Sequence, residues 1–337
     1  DTAKYIDELG YEALATMRSR ARDKADEVNA ILGAQRLTQL TGNPQGAGGL
    51  LAKLRWLAAH ERANLLRAHH LLLGAADVIA YRLTGNAATD TTTVSTTGLM
   101  ELATWNWLVL RRGIKVNDNI AAATGVNVVP LLPRLVMGGA QVGEVGQAAA
   151  EAMGVRAGIP VHLGPGDAGA ATLGAGSGEL GKPYAYVGTS GWVAYTSKQR
   201  GDPATGVFTL AHPRADAYIC VAPLLTAAGN FDWIKGIVGA GSHAGMIEAA
   251  VAQPMGKLLY LPYLNGERSP FSDPLARGTF IGLSGGHTQA DMARAVLEGV
   301  AFAYKHALDA LISTPVSRLV LTGGGARSSG WNQMLAD

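Results

Sequence analysis

Three short glycine-rich stretches carry residue types that could handle a phosphoryl group. The first is Gly164-Pro165-Gly166-Asp167-Ala168-Gly169, directly after the apolar run Ile159-Pro-Val-His-Leu163. An acid at a strand end, freed by flanking glycines, can reach into a cleft. Its carboxylate could accept a proton from a substrate hydroxyl as that hydroxyl attacks phosphorus. A turn Asp that bonds its own backbone is an equal reading of this piece alone. The second stretch is Gly188-Thr189-Ser190-Gly191, between two strand-like runs. Successive N–H groups in such a turn form an anion nest, and two hydroxyls add donors. Taken as four residues, an ordinary hairpin turn is the simpler reading. The third is Gly323-Gly324-Gly325-Ala326, after the apolar run Arg318-Leu-Val-Leu-Thr322. Glycines there let the backbone approach a flat or charged ligand closely, although an isolated glycine turn needs no ligand. No dinucleotide fingerprint and no P-loop pattern occurs, so a nucleotide site here must use a different fold.

Other chemistries find little support. His69 and His70 are adjacent and cannot share a helix face, and the remaining histidines are scattered without zinc spacing. The one cysteine, Cys220, excludes an internal disulfide and reads as a buried strand thiol within Tyr218-Ile-Cys-Val-Ala222. No Gly-x-Ser-x-Gly elbow is present. A formal net charge of +2 gives no pull toward nucleic acid or membrane. No stretch approaches a membrane span, and the start lacks a signal-peptide pattern, which predicts a cytoplasmic protein. The cluster Arg18, Arg20, Arg22, Lys24 is interleaved with acids and reads as a solvated helix face.

These stretches need elements to position them. With 337 residues, 48% of them hydrophobic, two domains are expected. Residues 1–158 read as mostly helical, with helices over 20–32, 50–59 and 65–83, the last stopping at Thr84-Gly85-Asn86. The polar run 89–97 is ordered in style, with Asp90 placed to cap a turn or helix. From 159 the texture becomes strand, glycine turn, helix. Buried strands are expected at 159–163, 184–187, 192–195, 218–222, 258–264 and 318–322. The clearest helix is 289–312, with an apolar stripe through Met292, Val296, Val300 and Ala307. That arrangement places ligands at the ends of strands.

The second half resembles the FGGY carbohydrate kinases of the actin-like ATPase superfamily. Gly278-Thr-Phe-Ile-Gly-Leu283, seven residues, then Asp291-Met-Ala-Arg-Ala-Val-Leu-Glu298 is similar to the family's C-terminal signature. Gly266-Glu-Arg-Ser-Pro270 and Asp273-Pro-Leu-Ala-Arg-Gly278 are similar to its lead-in. Gly188 to Gly191 resembles its phosphate loop, Gly323 to Ala326 its adenosine-side loop, and Asp167 falls where members carry the catalytic aspartate. Looser landmarks run through the first half: Thr41-Gly-Asn-Pro44, Lys53-Leu-Arg-Trp-Leu57, Tyr81-Arg-Leu-Thr-Gly85, and Ala88-Thr-Asp90 through Leu99.

The resemblance implies an α/β fold of two actin-like ATPase (ribonuclease H-like) domains with an active-site cleft between them. They are 1–158, the rest of a sugar-binding domain, and 159–337, an incomplete ATP-binding domain. It implies ATP-dependent phosphorylation of a small sugar or polyol, first among them a ketopentose such as xylulose, with ATP and Mg²⁺. Asp167 would be the general base, would touch the substrate, and would meet the metal through a water. Gly188, Thr189, Ser190 and Gly191 would hold phosphates, and Gly324, Gly325 and Ala326 the nucleoside. Members begin earlier, with an Asp-x-Gly-Thr loop, and end later, so the chain reads as truncated at both ends. Arg18, a substrate-binding candidate, stands where members carry an acid, and Ala168 where many carry Asn or Gln. Those departures leave a catalytically silent, nucleotide-binding regulatory or sugar-sensing module as the alternative. No surface stripe demands a dimer, although dimers are common among such kinases.

Overall fold

The computed structural model describes residues 21–110, 115–214, 216–239 and 241–337. Arg18 lies outside them. The chain forms two compact units. One holds residues up to Ala170 together with Thr209–Asp216, and the other holds Ala171–Phe208 and Ala217–Asp337. The units part beyond the shift of texture near 158, because strand Pro160–His162 pairs with Gln141–Glu144 inside the first unit.

The first unit is mostly helical. In helix Arg22–Leu32, Ala25, Val28 and Leu32 recur at three- and four-residue spacing and are buried. Glu27 on its outer side accepts from Arg55 Nε at 2.7 Å, linking it to helix Leu50–His60. Arg55 also donates to the Ala122 carbonyl at 3.0 Å, in the last turn of helix Lys115–Thr124, where a cation suits the helix dipole. The single helix expected over 65–83 is instead two, Arg62–Leu66 and Ala75–Thr84. The buried carboxylate of Asp77 explains the break. It accepts from the Leu73 and Gly74 amides at 2.9 and 3.0 Å and so starts a new helix after Gly74.

The strands of this unit form small sheets. Ala88–Asp90 runs parallel to Arg134–Val136, and Gln141–Glu144 runs antiparallel to Pro160–His162. The last forms as expected but is not a buried strand. Pro160 and His162 are exposed, since its sheet has only two strands, and the chain enters the core at Leu163. Thr209 is tied in by buried Asn43, which donates to Thr209 O and Ser95 O and accepts from Thr209 N, at 2.8, 3.0 and 2.8 Å.

The second unit is built on a sheet in which Val320–Thr322, Pro183–Val187, Gly191–Ser197 and Tyr218–Leu224 are successive neighbours. The first pair is parallel and the others antiparallel. Alternate residues Ala185, Val187, Val193, Cys220, Ala222 and Leu224 form one buried face, so Cys220 is the strand thiol expected. The long helix Gln289–Leu311 covers that face with Val296, Val300, Ala303 and Ala307. Helices Gly229–Val238, His243–Ala252 and Ser329–Ala336 complete the core, the last through buried Trp331.

Candidate active site

Strands Pro183–Val187 and Val320–Thr322 lie side by side and run in the same direction, with Tyr186 opposite Thr322. Their carboxyl ends therefore open on the same edge, and each continues directly into one of the glycine loops. Ligands of open α/β sheets bind at that kind of edge. Gly323 has φ +90°, and a Cβ there would lie 2.5 Å from the Val187 carbonyl oxygen. A Cβ on Gly325 would lie 2.4 Å from the Val187 side chain. Only glycine lets the second loop sit this close to the end of the neighbouring strand.

The turn Gly188 to Gly191 is held from behind. The Ala228 amide donates to Gly188 O at 2.8 Å, and the Ala227 and Gly229 amides donate to Thr189 O at 2.8 and 3.1 Å. A trans peptide points its N–H opposite to its C=O. With the carbonyls of Gly188 and Thr189 turned to segment 227–229, the N–H groups of Thr189 and Ser190 point the other way. Both residues are exposed. Two adjacent outward amides and two hydroxyls are the kind of donor set with which a backbone nest binds an anion. The backing segment is itself anchored. Leu225 N–H donates to the buried Glu267 carboxylate at 3.0 Å, and the same oxygen accepts from Arg268 N–H at 2.7 Å. Burial pushes the Glu267 carboxyl above its ordinary range, against the pull of the amides it accepts.

A cavity of about 990 Å³ brings Gly188 and Thr189 together with Gly324 and Gly325. Ser190, Gly191 and Ala326 belong to the same two loops without lining it. Phe231, Ile247 and Trp331 supply apolar wall, and Asp232, His243, Glu248 and Arg327 supply polar groups. His243 and Asp232 are 2.7 Å apart. A cavity of this size with an apolar wall and a few charged groups suits a nucleoside. These wall residues escaped sequence reading. Apart from Arg327, just past Ala326 and so next to a motif, they sit on three helices, Gly229–Val238, His243–Ala252 and Ser329–Ala336.

Asp167 lies in the first unit, as the first residue of helix Asp167–Gly174, with its side chain exposed. It accepts from the Ala168 amide at 2.7 Å. The preceding Gly166 is bonded to buried Asp90, which the sequence marked as a cap and within a family landmark. That expectation holds, since Asp90 accepts from the Thr92 and Thr93 amides at the start of helix Thr91–Val94. Among the described residues no cluster of three His, Cys, Asp or Glu side chains could hold a metal. Mg²⁺ at a phosphoryl-transfer site is held largely by phosphates and waters. Within the first unit, the exposed carboxylate of Asp167 is an oxygen donor of the type it takes. No helix among the described residues is long and apolar enough to cross a membrane.

The xylulose kinase of Klebsiella pneumoniae is 31% identical over 303 residues, which are 89% of this chain and 60% of that protein. The crystal structure of xylulose kinase from Rhodospirillum rubrum superposes with a TM-score of 0.82 at 27% identity, covering 94% of this chain and 63% of that one. Gluconate kinase from Lactobacillus acidophilus gives 0.82 at 26% identity with the same coverage. The chain thus spans less than two thirds of the length of these relatives. Residues 6–174 match the N-terminal domain of the FGGY family of carbohydrate kinases, and residues 184–337 match its C-terminal domain. The chain belongs to the FGGY family of carbohydrate kinases, within the actin-like ATPase superfamily.

Proposed function

We propose that the protein transfers the γ-phosphoryl group of ATP to a hydroxyl of a small sugar or polyol, with a ketopentose such as xylulose as the first candidate. The observation that carries this reading is the outward-turned amide pair of Thr189 and Ser190, beside a cavity that also takes in Gly324 and Gly325. The β and γ phosphates of ATP sit at Gly188, Thr189, Ser190 and Gly191. The nucleoside lies along Gly324, Gly325 and Ala326. Asp167 takes the proton from the acceptor hydroxyl as its oxygen bonds to the γ phosphorus. The bond from that phosphorus to the β–γ bridging oxygen breaks, and ADP leaves. Mg²⁺, when bound, would supply neutralisation of charge on the phosphate oxygens, and the Asp167 carboxylate would be the protein group to help hold it. The fixed amides and the placement of the hydroxyl account for most of the catalysis. The xylulose kinases among the relatives support the choice of sugar, and the gluconate kinase keeps aldonates in the test.

The test is ADP release by the native protein with ATP and Mg²⁺ across pentuloses, polyols and aldonates. Release with xylulose is expected. Asp167→Ala should lower turnover by about 10²- to 10⁴-fold and leave ATP affinity unchanged. Native turnover in that variant rules out the base. ATP binding without release on any acceptor supports the silent module instead.

A further inference from the structure

We propose that Asp90 is a positioning residue for Asp167, holding the loop that presents the catalytic carboxylate; this rests on the reading of Asp167 as the base. Asp90 ends strand Ala88–Asp90 and is fully buried, 0% exposed. Its two oxygens divide their work. Oδ1 accepts from the Thr92 and Thr93 amides at 2.8 and 3.0 Å, which is all that capping helix Thr91–Val94 requires. Oδ2 accepts from the Thr93 hydroxyl and from the Gly166 amide, the latter at 3.2 Å and 76 positions along the chain. Gly166 immediately precedes Asp167. The helix amides take one oxygen, and the second joins the Thr93 hydroxyl to the loop.

The packing around that bond leaves the loop little freedom. A Cβ on Gly166 would lie 2.4 Å from Thr93 Oγ1. A Cβ on Gly169, one turn into helix Asp167–Gly174, would lie 2.7 Å from Pro165 Cβ and 3.2 Å from Thr92 Cγ2. On the other side, a Cβ on Gly138 would lie 2.7 Å from Pro165. Thr92 is itself fixed, its hydroxyl donating to Ala211 O at 2.8 Å. The loop is therefore seated on the 91–94 helix by glycine contacts and pinned by a single buried carboxylate oxygen. Freeing it displaces Asp167, and an ångström of misplacement at a reacting group is enough to cost about 100-fold in rate.

Asp90→Asn separates the two tasks. Asn keeps an oxygen for the helix amides but presents an NH₂ group, a donor, to the Gly166 N–H. In the native protein the expected result is a kcat lowered about 10- to 100-fold, with the KM for ATP and the melting temperature nearly unchanged. In an Asp167→Asn background the same substitution should lower kcat no further, since Asp90 acts only through Asp167. Native kcat in folded Asp90→Asn overturns the proposal, and so does a loss that multiplies with that of Asp167→Asn. If Asp167→Asn alone keeps native kcat, the base assignment is what fails, and positioning falls with it. Should Asp90→Asn not fold, Gly166→Ala pushes the loop off Thr93 from the other side. It should lower kcat while sparing the KM for ATP, and native turnover in it is equally fatal.

Discussion

Gly191 leaves the turn Gly188 to Gly191 almost no spare room. A Cβ there would lie 2.0 Å from Tyr304 Oη and 2.9 Å from Ala227 Cβ. Tyr304 cannot easily give way, because it is buried and its hydroxyl donates to Tyr186 O at 2.6 Å. Burial raises the pKa of this phenol, so it stays a donor throughout the physiological range. Gly191→Ala should therefore cost about 2–3 kcal/mol, the usual scale of overpacking in a closed interior. Removing the clashing oxygen tests the cause. Tyr304→Phe in the same chain should recover part of that loss, so that the double variant is more stable than the two single losses predict. Denaturant unfolding of the four proteins measures the coupling, and strict additivity would show that the contact is not responsible. The glycines here were visible as a pattern in the sequence, but what each makes room for was not. Tyr304 lies on a helix with no local link to the turn.

At the scale of elements, the stretch that carried the resemblance most strongly is concerned with packing. Asp291 and Thr288 form a capping box that starts helix Gln289–Leu311, and their hydrogen bonds hold the Asp291 carboxyl below its ordinary range. Arg294 pairs with Glu298 at 2.6 Å and donates to Val251 O. Gly299 leaves space for Tyr260 O, which a Cβ would approach to 2.3 Å. Glu267 has a different task, since it anchors the segment that backs the phosphate turn. Its membership of the Gly266 to Pro270 string was legible, whereas its partner Leu225, 42 positions away, was not. The two helices within 65–83 illustrate the same limit. Apolar spacing continued through the break, and the Asp77 cap that ended it is a geometric fact. Glu267 also sets a pH dependence. Its pKa is raised from 4.5 in the folded chain, so above 4.5 the folded state holds more protons than the unfolded state. Stability should therefore fall as pH rises from 4.5 through the raised value, by up to about 1.4 kcal/mol per pH unit. Asp77, raised by burial as well, adds a slope of the same sign. Glu267→Gln should flatten the fall without abolishing it. Urea midpoints taken from pH 4.5 to 7 decide this, and an unchanged slope would assign the whole effect elsewhere.

For the whole molecule, the two-domain α/β character and the order of the motifs were legible because glycine loops and strand runs recur locally. The cavity was not legible, since its walls come from helices Gly229–Val238, His243–Ala252 and Ser329–Ala336, whose residues acquire meaning only when folded beside Gly188 and Gly324. This makes a prediction about where nucleotide acts. The cavity, the phosphate turn and its backing segment all belong to the second unit. A non-hydrolysable ATP analogue with Mg²⁺ should slow amide exchange at residues 188–191, 227–229 and 323–331. At a hundredfold excess over its dissociation constant it should add about 2.7 kcal/mol to the stability of the state it binds. Arg327→Ala, which removes a cation from the cavity, should weaken that protection while leaving the fold intact. Protection that appears only within residues 21–170 would contradict the assignment of the cavity. Protection in the second unit together with sugar-dependent ADP release favours the kinase. The same protection with no release on any acceptor leaves the cavity assignment standing and removes the catalytic one, because binding at the phosphate turn does not depend on the carboxylate of Asp167.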